Sequence, residues 1–295
     1  MRFPSILALF LLAVGVFFSS AKCPAAEPAQ EEIRVVKDIA YKSGDALSDY
    51  EKIRCKLDLY LPASGHDFAV LVWFHGGGLT GGSKDDAGTR HIAERFARDG
   101  IATAAVNYRL SPKATYPAYL DDAAAAFAWV KTHAAEQHID PARVFISGHS
   151  AGGYLAYMVG LDERWLKLYG LAPGAIAGLI PISGQVMTHY TIRAERGVKD
   201  HNLMISADDA APINHVHKET PPFLILYADK DMPARREENL YLAAALRATG
   251  NPRVQQLQVN DRTHGSIAGD MVHPGDPAAE AILHFIADPA SSTKN

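Results

Sequence analysis

The chain has 295 residues, of which 48% are hydrophobic and 21% charged, and a formal net charge of −4. That length suits one large α/β domain or two small ones and is ample for a sizeable core. The mildly acidic balance leaves no basic footprint, which argues against nucleic acid as a partner.

Residues 1–26 read as a signal peptide. Arg2 supplies the positive end, Ile6 to Phe18 the apolar stretch and Ser19-Ser20-Ala21 the small residues, with cleavage after Ala21 or Ala26. The apolar run is short for a spanning helix, so no stable membrane span is expected after cleavage. Lys22 ahead of Cys23 is a poor fit to a lipid-attachment site. Cleavage after Ala21 permits a Cys23–Cys55 bridge, whereas cleavage after Ala26 leaves a single cysteine.

Residues 27–295 are expected to form a single domain. Ile33 to Tyr41 and Ile53 to Leu61 alternate apolar and polar residues and predict an antiparallel pair at a sheet edge. Continuous apolar runs follow at Ala69–Phe74, Ile101–Val106, Arg143–Ser147, Ala177–Ile182 and Phe223–Tyr227, with a short strand at Val254–Val259. Helical stretches lie between them: Arg90–Arg98, Tyr116–Glu136, Ser150–Arg164, Glu237–Ala248 and Ala278–Ile286. This order predicts a doubly wound, mostly parallel sheet covered on both faces, with antiparallel N-terminal strands. Residues 185–220 lack periodicity and hold His189, His201, His215 and His217. They read as a lid or pocket wall, or equally as a connection carrying a short helix or two.

Gly148-His149-Ser150-Ala151-Gly152 lies between a predicted strand and a predicted helix, the context in which a G-x-S-x-G turn exposes a nucleophilic serine. Acyl transfer also needs a base, an acid to orient it and donors for the oxyanion. His75-Gly76-Gly77-Gly78 follows the strand Val70–Phe74 and offers unshielded amides. The Ala151 amide, at the start of the predicted helix, adds a further donor; each donor is worth on the order of 3 kcal/mol. Gly81-Gly82-Ser83-Lys84 does not have the spacing of a phosphate-binding loop. Among thirteen histidines, His264 stands after the last strand and before the last helix, where a doubly wound fold places its ligands. His273 is the runner-up, and His75 and His149 are expected to shape loops or touch substrate. Asp231, followed by Met232-Pro233, is preferred as the acid over Asp229. His215-Val216-His217 would put two rings on one face of a strand, but no third ligand is near, so no metal is expected. No organic cofactor is required either.

With these motifs in place, the chain resembles an α/β-hydrolase esterase of the hormone-sensitive-lipase-like group. It is closer still to the acetyl or feruloyl esterase-like branch related to kynurenine formamidases. The resemblance rests on Leu57-Asp58-Leu59-Tyr60-Leu61-Pro62, Trp73-Phe74 with the glycine run, Asn107-Tyr108-Arg109-Leu110, Tyr116-Pro117, Asp121-Asp122-Ala123, Asp140-Pro141, the serine motif, Pro221–Leu226 and Asp229-Lys230-Asp231. It implies a Ser150, Asp231, His264 triad with Gly77, Gly78 and Ala151 as oxyanion donors, Gly76 standing in for one of them. The signal peptide adds secretion, which an acetylated or feruloylated carbohydrate substrate fits, and a largely missing cap adds an open site for short-acyl esters. Two departures are visible. Tyr227-Ala228 replaces the His-Gly pair usual in the acid loop, and the N-terminal segment that builds a cap is largely missing, so a minimal cap is expected. The competing readings are an amidase or formamidase with the same triad, and a non-catalytic binding module on a hydrolase scaffold. Oligomeric state is not specified by the sequence.

Overall fold

A computed structural model describes residues 32–200, 202 and 205–290. The predicted signal peptide and Cys23, with any bridge it would make to Cys55, lie outside the described residues.

In chain order the elements are β1 (Ile33–Ala40), α1 (Asp49–Arg54), β2 (Lys56–Pro62), β3 (Phe68–Phe74), α2 (Ala87–Arg98), β4 (Ala102–Val106), α3 (Ala118–Thr132), β5 (Ile139–His149), α4 (Ala151–Leu161), α5 (Glu163–Lys167), β6 (Gly178–Ile182), α6 (Tyr190–Glu195), β7 (Phe223–Lys230), α7 (Arg235–Ala248), β8 (Val254–Thr263), α8 (Ser266–Gly269) and α9 (Pro277–Ala287). The strands form one eight-stranded sheet in the order β1-β2-β4-β3-β5-β6-β7-β8. β1 and β2 run antiparallel to their neighbours and the rest of the sheet is parallel, as the apolar runs predict.

Successive strand side chains point to opposite faces, so one strand feeds two cores. Val70, Val72 and Phe74 of β3 pack with α3, α4 and α7 on one face. Ala69, Leu71 and Trp73 pack with α2, α8 and α9 on the other. Full burial of each large side chain contributes about 1.5–3 kcal/mol.

The main departure from the predicted elements is at Ile53, which is not in a strand. Ser48 and Glu51 form a reciprocal capping box that starts α1, and Ile53 is 65% exposed on it. Two further helices differ in extent: α3 stops at Thr132, and the stretch predicted as Ser150–Arg164 is divided by Asp162, whose side chain caps α5. The 185–220 segment contains α6 and a 3-10 turn at Pro212–His215, so the expected His215/His217 strand face does not exist.

Candidate active site

Ser150 stands on the turn between β5 and α4 with φ 57° and ψ −114°, a conformation costly for any residue with a side chain. Its amide donates to Ile182 O at 2.9 Å and its carbonyl accepts from Tyr154 N at 2.9 Å, which hold the turn in place. The turn is so tight that a Cβ at Gly152 would lie 1.9 Å from Phe74 O.

His264 comes from the loop after β8. Its Nε2 lies 2.8 Å from Ser150 Oγ and its Nδ1 2.6 Å from Asp231 Oδ1. Asp231, at the end of β7, also accepts from Ser183 Oγ at 2.5 Å and from Met232 N at 2.7 Å. Burial would raise the Asp231 pKa, but the hydrogen bonds from His264 and Ser183 outweigh it and leave the carboxyl below its ordinary value. Asp229 is not brought to the site, because its carboxylate accepts from Arg262 N at 2.9 Å. His273 is exposed and its carbonyl accepts from Arg95 Nη1.

The glycine loop after β3 is held by its carbonyls. In a trans peptide the C=O and the next N–H point in opposite directions, so anchoring one side aims the other. Tyr108 Oη donates to His75 O at 2.8 Å, His75 Nδ1 to Gly76 O at 2.7 Å, and the Thr80 and Gly81 amides to Gly77 O at 3.1 and 2.9 Å. These contacts fix the peptides carrying the Gly76, Gly77 and Gly78 amides. Those amides and that of Ala151 donate to no acceptor among the described residues. A Cβ at Gly76 would lie 3.5 Å from Ser150 Cβ, so the loop lies directly against the serine turn. Ala151 is the first residue of α4, with the positive end of the helix dipole behind its amide.

Several supporting residues carry no sequence signal of their own. Arg54 of α1 donates to His75 Nε2 at 3.3 Å and to Tyr108 O at 3.0 Å, and the His75 ring stacks on Tyr108. Burial pushes the His75 pKa down to about 3, so the imidazole is neutral and keeps the single tautomer this chain of bonds requires. His149 Nε2 donates to His264 O at 2.6 Å; its pKa falls to about 4 through burial, with His264 nearby adding to the shift. His75 and His149 are thus both bonded to loop backbone, which fits the first of the two roles the sequence leaves open to them. Thr191 Oγ1 of α6 donates to Gly78 O at 2.5 Å, and a Cβ at Gly78 would lie 2.1 Å from Tyr190 Oη. Residues 185–220 thus supply a wall to the glycine loop. Ser183 ends up beside Asp231 because it follows β6, a strand end at the same sheet edge as the other site residues; that position was the available clue.

The remaining motif residues are scaffold. Arg109 forks onto Asp122, which is fully buried and also holds Lys42. Lys84 is 97% buried by its side chain, 2.9 Å from Asp58 and 3.0 Å from Asp38; it is a structural cation.

A strained serine on a strand-to-helix turn, with an aspartate and a histidine brought to it from later strand ends of a mostly parallel sheet, defines an α/β-hydrolase. The sequence profile of the prolyl oligopeptidase family matches residues 118–288, more than half of the chain, and the chain belongs to that family. The BD-FAE profile matches residues 57–172. Among curated relatives, Mycobacterium tuberculosis esterase LipQ is 28% identical over 76% of this chain and 56% of its own length. The carboxylic ester hydrolase LipM of the same organism, a probable assignment by its own description, is 28% identical over 68% of this chain and 50% of its own. The chain therefore spans about half the length of these relatives. Among solved structures, a truncated carbohydrate esterase from gut microbiota superposes with a TM-score of 0.71 at 17% identity, covering 89% of this chain and 98% of that one. Propionate-bound esterase Est2 of Thermogutta terrifontis gives 0.68 at 23%, covering 90% and 97%. These two likenesses concern the fold.

Proposed function

We propose that the protein is a serine carboxylesterase for short-acyl esters, with Ser150 as nucleophile, His264 as base and Asp231 as the acid that orients it. The observation that carries the reading is the unbroken Asp231–His264–Ser150 hydrogen-bond chain beside the unpaired amides of Gly77, Gly78 and Ala151. Ser150 Oγ attacks the ester carbonyl as His264 Nε2 takes its proton, and the carbonyl oxygen becomes an oxyanion held by the three amides. His264 then gives its proton to the departing alkoxide, releasing the alcohol. Water, deprotonated by the same nitrogen, attacks the acyl-enzyme and frees the acid and Ser150. Asp231 keeps the Nδ1–H tautomer and stabilises the imidazolium.

Ser150→Ala is expected to lower kcat for p-nitrophenyl acetate by at least about 10⁴-fold, with an unchanged circular dichroism spectrum. Retention of near wild-type turnover by that variant would remove the serine from the mechanism. Membership of the prolyl oligopeptidase family favours one second reading, amide cleavage by the same groups. Relative kcat/KM for N-formylkynurenine and for acetyl esters separates the two. An acetylated or feruloylated carbohydrate as substrate is supported by the carbohydrate esterase among the structural neighbours. Export rests on Arg2, the apolar stretch and the small residues before Ala21 and Ala26. Mass spectrometry of the mature N-terminus in an exporting host tests it: a chain retaining Met1 contradicts export.

A further inference from the structure

Behind the acid loop lies a cavity of about 520 Å³ whose lining includes Gln185, Tyr190, Arg193, Met232, Arg235 and Glu238. It adjoins the proposed active site through two of its walls. Tyr190 is the residue that meets Gly78 of the glycine loop, and Met232 follows Asp231 directly.

Arg235, the first residue of α7, is only 5% exposed, yet its guanidinium has one protein acceptor, Ser183 O at 3.2 Å from Nη1. Its Nε is buried and makes no hydrogen bond among the described residues. Nη2 likewise makes no hydrogen bond among the described residues and, unlike Nε, is not sealed off by its neighbours, so it can donate to a carboxylate oxygen in the cavity. The carboxylates nearby are otherwise engaged. Asp231 serves His264, Ser183 and its own loop, and Glu238 Oε2 accepts from the Val186 and Met187 amides at 2.8 and 3.4 Å. Arg193, which is 3% exposed and donates to Thr188 O, adds a second guanidinium to the wall. A buried, under-bonded cation is costly unless an anion arrives to complete it. Burial has pushed the Arg235 pKa below the ordinary value, in keeping with that deficit.

We propose that this cavity is a carboxylate subsite, that Arg235 reads it through Nη2, and that the preferred substrates are esters carrying a free carboxylate on the acyl or the alcohol arm. The assignment rests on the esterase reading for its kinetic consequence but not for binding. It makes Arg235 a specificity residue with no part in the proton transfers.

The test compares kcat/KM within two pairs of esters: p-nitrophenyl succinate against p-nitrophenyl butyrate for the acyl arm, and 4-acetoxybenzoate against phenyl acetate for the alcohol arm. In the wild-type enzyme the acidic member of one pair is expected to exceed its neutral partner. Arg235→Gln should lower that ratio at least tenfold, mainly through KM, with Arg235→Lys falling between. Equal ratios in wild type and Arg235→Gln for both pairs overturn the subsite. Should Arg235→Gln fail to fold, inhibition of wild-type turnover of phenyl acetate decides. Stronger competition by glutarate or 4-hydroxybenzoate than by the corresponding amides supports the subsite, and equal competition overturns it. Calorimetry of Ser150→Ala with glutarate is independent of turnover. Saturable binding supports the subsite even if the wild type hydrolyses no ester, an outcome that would retire the esterase reading alone, and no binding at millimolar glutarate overturns the subsite.

Discussion

Ser183 donates the bond that occupies Asp231 Oδ2, leaving Oδ1 for His264. Because the Asp231 carboxylate is buried, a hydrogen bond to its charged form is worth about 1.5–3 kcal/mol. Ser183→Ala is therefore expected to lower kcat for p-nitrophenyl acetate roughly tenfold with little change in KM. Asp231→Asn, which favours the wrong imidazole tautomer, should cost about 10⁴-fold. A Ser183→Ala enzyme with wild-type kcat would show that the second carboxylate oxygen needs no support. Ser150, Asp231 and His264 are legible in the sequence because each follows a strand-like run and all three occur in a meaningful order. Ser183, Arg54 and Arg235 are not legible, because their roles depend on contacts between loops that only the closed sheet brings together. Spacing alone separates Asp231 from Asp229 poorly, and the turn residues Met232-Pro233 are the sequence's ground for Asp231; in the structure Asp229 accepts from Arg262 N while Asp231 meets His264.

At the scale of elements, the parallel strands of β3 to β7 announce themselves as apolar runs because both of their faces are covered. The boundaries are less visible. β8 continues from Val259 to Thr263 through polar residues, since hydrogen bonding to β7 rather than burial sustains its end. α1 displaces the predicted start of β2 because a local capping box outweighs an alternating pattern only a few residues long. The junction between β5 and α4 leaves least room. A Cβ on Gly152 would overlap the Phe74 carbonyl at 1.9 Å and crowd the His75 carbonyl at 2.9 Å. Both are backbone atoms, one at the end of β3 and one at the start of the glycine loop, so no rotamer change relieves the clash. Gly152→Ala should destabilise the fold by more than about 3 kcal/mol, as read by urea denaturation. A variant with an unaltered midpoint would mean that β3 and α4 can separate at little cost.

For the whole molecule, buried imidazoles kept neutral add to the acid sensitivity of the fold. His75 and His189 are 2% and 1% exposed, and burial drives both pKa values down, His75 to about 3 and His189 well below the usual value. Unfolding restores an ordinary pKa of about 6.5, so the unfolded chain binds more protons below that pH. The stability these residues contribute is complete above about 6.5 and declines as pH falls toward their folded values, at up to about 1.4 kcal/mol per pH unit for each histidine. Denaturant midpoints measured between pH 7 and pH 4 should fall accordingly, and His75→Asn should flatten the slope whatever it does to the absolute stability. An identical slope in that variant would assign the acid sensitivity elsewhere.

Lys84 links distant parts of the molecule. It joins Asp58 of β2 to Asp38 of β1, at the register shift between Val36 and Ile39, and it sits two residues beyond Gly82, whose carbonyl accepts from Arg54. Three carboxylates hold its ammonium above the usual pKa although burial opposes the charge. Removing it strands Asp58 in the core, at about 3–5 kcal/mol. An irregularity in an outermost strand also denies foreign chains a straight template for pairing. The same ammonium thus ties down this irregular margin of the sheet and the segment that leads back to the glycine loop. Substitutions such as Lys84→Met should produce aggregates and lose turnover together, and a soluble but inactive Lys84→Met protein would separate the two duties.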